Sequence, residues 1–184
     1  MVCSVRQKKN LDLIHHFKMY FSPKITILGS AGDLDDLVFY NQFRKKHKLQ
    51  KRPAYLGLYA TINGYHIYRV RPEVEKPLSL VREPENEYDF NAIKVMDIST
   101  SPITMIGRMP RRCSKVIAEY MDNGTITHSC AFYKGKMEFG TSELFGLGPK
   151  LVCMYFFEVQ SIEAKNILKS RLLEEMNKLE IFIR

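Results

Sequence analysis

The chain has 184 residues, 45% of them hydrophobic, which suits one packed domain or one domain with an extension. A net charge of +8, from 28 Lys+Arg against 20 Asp+Glu, favours polyanionic partners, although many proteins this basic bind neither nucleic acid nor membranes. No apolar run approaches the roughly 18 residues that span a bilayer. The basic N-terminus also lacks the apolar core of a secretion signal, so the expected setting is intracellular, nuclear or bacterial-cytoplasmic, with no membrane partner.

Residues 1–22 pattern as a short helix, with Leu11, Leu13, Ile14, Phe17, Tyr20 and Phe21 on roughly one side. "KITIL" reads as a brief strand broken by "GSAGD". A second helix begins near Asp33 and packs through Leu34, Leu37, Val38, Tyr40 and Phe43. It runs into Arg44–Arg52, with six Lys/Arg in nine residues, either a solvated helix end or a phosphate-contacting arm. "DLDD" lacks the glycine and terminal Glu of a calcium loop.

"AYLGLYATINGYHIYRVRP" predicts one long bent strand or two strands, with glycines marking a bulge or bend. "LSLV" is a strand. The stretch that follows it, "REPENEYDF", is turn chemistry: Pro84, Asn86 and Asp89 favour bends, and four carboxylates keep it wet. "NAIKV" then enters another half-buried strand. Polar residues this dense in one loop point to a functional role. "ITMIG" is a strand and Arg111 to Asp122 a short helix, with Val116, Ile117, Tyr120 and Met121 on its buried side and Asn123-Gly124 at its end. "TITHSCAFY" alternates as a strand, "KGKMEFGTSELFGLGPK" reads mostly as loop, and "LVCMYFFEV" is a strand apolar enough to be covered on both faces. From Ser161, a reasonable N-cap, a helix runs to about Leu179, its stripe being Ala164, Leu168, Leu172, Met176 and Leu179. Cys3, Cys113, Cys130 and Cys153 form no C-x-x-C pair, which predicts reduced thiols; the last three sit in apolar patterns as small hydrophobes.

"LVREPENEYDFNAIKV" followed by "IGRMPRRCSKVIAEYMDNG" resembles the HIRAN domain, found in helicase-like repair ATPases and as stand-alone bacterial proteins. The likeness extends from near Thr61 to about Val159. It implies a mainly β fold: an OB-like small barrel of five or six strands with one short inserted helix, flanked by an N-terminal helical segment and a C-terminal helix. The expected organisation is a helical and basic extension over 1–55, the barrel over 56–160, and the helix packed on it over 161–184.

The resemblance also implies a binding module that captures 3′ ends of single-stranded DNA. The residues can supply what such binding needs. Arg108, Arg111 and Arg112 lie at a turn into a helix, where guanidinium forks suit phosphate oxygens, or form a solvated charged turn. Tyr68, with Tyr65 or Tyr88 behind it, offers a face for a base, or packs in the core. Asp89 accepts hydrogen bonds only; beside DNA it repels phosphate and attracts a terminal hydroxyl, unless it merely caps its own turn. Asn91 reads more as a turn residue than a ligand, and Arg82 and Glu83 as a local pair. The expected contact set is His66, Ile67, Tyr68, Tyr88, Asp89, Asn91, Arg108, Arg111 and Arg112. In the family pattern Ile67 replaces a usual Tyr, removing an aromatic face.

No catalytic or metal site and no cofactor are expected. Glu83, Glu85, Glu87 and Asp89 lie in a loop with no second acidic cluster, the five histidines have no zinc spacing, and there is no Walker loop. The alternatives are an RNA or duplex-end binder, or an adaptor whose flanking helices recruit a protein such as a helicase.

Overall fold

From Ala54 to Ile62 every second side chain is apolar and buried, as the period of two requires of a strand with one face on a core. The computed structural model describes residues 27–28, 45, 54–140 and 148–182. Its elements are β1 (Ile27–Leu28), β2 (Ala54–Ile62), α1 (Tyr65–Tyr68), β3 (Pro77–Arg82), β4 (Ile93–Asp97), β5 (Thr104–Arg108), α2 (Arg111–Asp122), β6 (Ile126–Gly140), β7 (Gly148–Val159) and α3 (Ile162–Phe182). The helices expected before residue 54, and the basic run, lie outside the described residues, apart from Lys45.

All strand pairs are antiparallel, in the order β1-β2-β7-β6-β3-β4-β5. The sheet curls until its ends meet. Asn63 and Arg108 exchange both backbone hydrogen bonds, at 2.8 and 2.9 Å, joining the end of β2 to β5. Six strands thus form a small OB-like half-barrel pinned at one point. Gly107 permits the contact, because a Cβ there would stand 2.2 Å from the Asn63 carbonyl oxygen.

The main core runs from the barrel interior to the two longer helices. It joins Leu58, Ile93, Val95 and Ile106 of the strands to Cys113, Val116 and Ile117 of α2 and Leu168 and Leu172 of α3. Ser161 caps α3 by accepting from the Ala164 N–H at 3.1 Å. Leu168 is fully buried, so Leu168→Ala is expected to cost about 2–5 kcal/mol. Chemical denaturation measures this, and a loss near zero would show that α3 only rests on the surface.

As its apolar run predicted, β7 is buried on both faces. Leu151, Cys153, Tyr155 and Phe157 face the main core, while Met154 and Phe156 join Cys130 and Phe132 in a second cluster with Tyr55 and Tyr59. Phe132 and Phe156 meet edge to face, ring centres 5.8 Å apart. Cys113, Cys130 and Cys153 are free and buried. Burial pushes all three thiols up, Cys113 to about 12.

Three expectations need correction. The stretch after Ile62 is no second strand: Gly64 at φ +98° and Arg69 at φ +53° bracket a single helical turn, Tyr65–Tyr68. The segment from Lys134 to Lys150 is not mostly loop, because β6 and β7 stay paired as far as Gly140 and Gly148. Its glycines misled, since only Gly135 and Gly148 among those described there take positive φ. The simple alternation in β6 also fails. An irregularity between Ile126 and His128 lets Ile126 join the main core while Cys130 and Phe132 face the other way.

Candidate nucleic-acid interface

The loop between β3 and β4 is a chain of turns. The N–H groups of Asn86, Asp89 and Ala92 donate to the carbonyls of Glu83, Asn86 and Asp89, at 2.9–3.1 Å. The Asn86 side chain accepts from the N–H groups of Tyr88 and Asp89 and donates to Glu83. Arg82 fastens the loop from below. It donates to the carbonyls of Phe90 and Ala92 and pairs at 2.8 Å with Asp122 at the end of α2. The expected Arg82–Glu83 pair does not form, because successive strand residues point to opposite faces.

Glu83 instead receives Arg108 from β5 in a two-pronged bond, 2.7 and 2.9 Å, with Lys94 at 3.5 Å. Chiefly through the Arg108 bond, against the opposing effect of burial, its carboxyl falls to about 2. Arg108 also donates to the Tyr68 hydroxyl at 2.8 Å. The Tyr68 ring lies close over Gly64, where a Cβ would stand 3.1 Å from it. Glu83, Arg108 and Tyr68 thus form one connected chain across the pinned end of the barrel.

Asp89 divides its oxygens. Oδ1 accepts from the Asn91 N–H at 3.0 Å, and Oδ2 faces the Arg111 guanidinium at 3.8 Å. Arg111 also donates to the Tyr88 carbonyl at 3.3 Å and is 76% exposed. Tyr88 is 88% exposed and Phe90 73%. Two exposed aromatics thus flank this carboxylate in the sequence.

Seven of the nine predicted residues fall into three groups, and Asn91 and Arg112 stand apart from them. Tyr88, Asp89 and Arg111 are brought together. Tyr68 and Arg108 are joined to each other through a hydrogen bond, with the guanidinium of Arg108 already held by Glu83. His66 and Ile67 are exposed on α1, and the His66 ring stands near Gly148 at the start of β7. Asn91 borders a groove of about 340 Å³ with Val116 of α2 and Glu174 and Glu175 of α3. Arg112 is half-buried, and burial lowers its basicity against the pull of Glu175. Three of the loop's carboxylates are met by cations: Glu83 by Arg108 and Lys94, Glu85 by the same Lys94, and Asp89 by Arg111. Among the described residues no three His, Cys, Asp or Glu side chains gather as a metal set.

Residues 58–145 match the family model of the HIRAN domain. The chain contains a HIRAN domain. The crystal structure of the HIRAN domain of human HLTF aligns over 65% of this chain and 88% of its own, at 21% identity and a TM-score of 0.49. Curated proteins give no match. HIRAN domains bind DNA, which supports a nucleic-acid partner for this one.

Within this HIRAN domain, sequence reasoning missed Glu83 as the partner of Arg108, because that pairing spans two strands and 25 residues. It also passed over Phe90, although an aromatic beside four carboxylates in a wet loop was a legible signal. Among the described residues no helix is long and apolar enough to cross a membrane, which says nothing of strands.

Proposed function

We propose that this HIRAN domain captures the 3′-hydroxyl end of single-stranded DNA, as a non-catalytic recognition module in an intracellular repair, replication or mobile-element setting. The observation that carries the reading is the Tyr88–Asp89–Arg111 group. An exposed guanidinium that can take a phosphate stands beside a carboxylate that accepts but cannot donate. A terminal hydroxyl can donate to Asp89, whereas a continuing phosphodiester brings a second negative charge and is repelled. Tyr88 and Tyr68 supply faces for bases, and Arg108 keeps the Tyr68 hydroxyl in place. The organisation that fits is an N-terminal extension over 1–55, a binding barrel over 56–160 and a helical brace over 161–184.

The test is binding of a labelled single strand ending in either a 3′-hydroxyl or a 3′-phosphate. Asp89→Asn keeps an oxygen for the Asn91 N–H but loses the charge. Wild type is expected to prefer the hydroxyl by roughly tenfold, on the strength of one charged hydrogen bond, and Asp89→Asn to lose that preference. Arg111→Ala is expected to weaken both strands about tenfold and to flatten the salt dependence. Equal binding of both ends by wild type would leave a general phosphate binder. Absence of binding at low salt would abandon the DNA reading for a protein-recruiting adaptor. RNA or blunt duplex competing on equal terms would reassign the ligand.

A further inference from the structure

The outer face of the sheet is apolar well beyond the part that is covered. Register carries one row across four strands: Cys130 of β6 opposite Ser79 of β3, Ser79 opposite Met96 of β4, and Met96 opposite Met105 of β5. The next row starts with Phe132 opposite Pro77. Residues two apart share a face, so Ile98 and Ile103 extend that row, and Val81 lies beside Ser79 on the same side. At the β6 end this face is closed, with Cys130 and Phe132 buried in the second cluster. At the β4–β5 end it is open. Ile98 is 58% exposed, Ile103 60% and Val81 42%, with Met96 and Met105 half-buried between them. One exposed isoleucine on a hairpin is ordinary. Val81, Met96, Ile98, Ile103 and Met105 together make a patch of roughly a few hundred Å², the size at which open apolar surface marks a contact site.

Size and charge decide what can cover it. A stable association of two folded domains buries roughly 800 Å² on each partner. This patch offers less, which suits a short segment better than a second globular surface. Charge disfavours a second copy again, since each chain carries +8. The lysines bordering the patch are already engaged: Lys94 with Glu83 and Glu85, Lys76 with Glu73 and Asp97. That argues against an anionic lipid headgroup at this place. The segment that fits has large apolar side chains for the patch and a net negative charge to match the field of the whole chain. The hairpin leaves the far end of β4 from the Glu83–Ala92 loop, so such a segment and a DNA end can be held together.

We propose that the outward face of the β4–β5 hairpin, centred on Ile98 and Ile103, is a docking site for a short acidic segment of a partner protein that carries large apolar side chains. The site is independent of the DNA reading and uses none of the residues assigned to it.

The probe is a phage-displayed library of random short peptides, selected on the full chain. Enriched peptides are expected to be acidic and to carry several large apolar residues. Synthetic copies should bind wild type, and the double variant Ile98→Ser with Ile103→Ser should weaken them at least about tenfold. Ile98→Val with Ile103→Val keeps the apolar face and should bind nearly as wild type does. Both double variants should keep the wild-type denaturant midpoint, because the side chains replaced are exposed. On wild type itself, adding a peptide should shift the methyl NMR signals of Met96 and Met105. Peptides that leave those signals in place, or that bind the serine variant as tightly as wild type, would overturn the site, as would a selection that enriches nothing. Dimerisation of wild type that the serine variant lacks would reassign the face to a second copy. Binding of wild type, but not the serine variant, to vesicles of phosphatidylserine and phosphatidylcholine would reassign it to a membrane.

Discussion

Gly107→Ala is expected to destabilise the barrel strongly. The new Cβ would lie 2.2 Å from the Asn63 carbonyl oxygen and 2.7 Å from Cγ2 of Ile62. The first is backbone and cannot rotate away. Relief requires β2 and β5 to separate, which breaks the two hydrogen bonds between Asn63 and Arg108 that pin the curled sheet. The expected loss is about 3 kcal/mol, at the upper end of overpacking. Gly124→Ala is the control. Unlike Gly107, Gly124 adopts a positive φ, +76°, but nothing lies within 4 Å of its Cβ position, so only backbone strain of about 1 kcal/mol is expected. Denaturant midpoints of the two variants measure the difference. A loss at Gly107 no larger than that at Gly124 would mean that the close approach relaxes at little cost.

Glu83→Gln is expected to change how stability depends on pH. The Glu83 side chain is 12% exposed and takes both prongs of Arg108. Its carboxyl is held at about 2, down from an ordinary 4.5, first by the hydrogen bond from Arg108. A depressed folded-state value stabilises the fold above the unfolded value. That contribution is therefore full above about pH 4.5 and is lost as pH falls towards 2. With solvent screening allowed for, it amounts to about 1–2 kcal/mol. Wild type should lose this stability between pH 4.5 and 2, whereas Glu83→Gln should start lower and show a flatter profile there. Identical acid profiles would mean that the pair contributes nothing net, as when a charge pair is fully offset by its desolvation.

Much of the framework was legible because it is local. Periodic apolar residues located β2, β3, β4, β5, β7, α2 and α3, and the double-sided apolar run of β7 announced two covered faces. Turn residues located the loop of Glu83–Ala92, and its density of polar groups singled it out as the candidate site. The motif around Tyr88, Asp89 and Asn91 carried the resemblance by which the domain was named. Each of these signals depends on residues within a few positions of one another, where backbone preference and side-chain period act directly.

What the chain alone did not disclose is set by partners far apart in sequence. Whether Tyr68 stands in a strand or a turn was settled just past Asn63, which pairs with Arg108, where Gly64 takes the left-handed region and the single turn Tyr65–Tyr68 begins. Whether Arg108 is offered to phosphate or held in place depended on Glu83 reaching it across β4. The glycines and charges of 134–150 looked like loop, yet β6 and β7 stay paired as far as Gly140 and Gly148. A strand's neighbours, and hence which side chains meet over a site, are decided by the closing of the sheet, and no local pattern encodes that register.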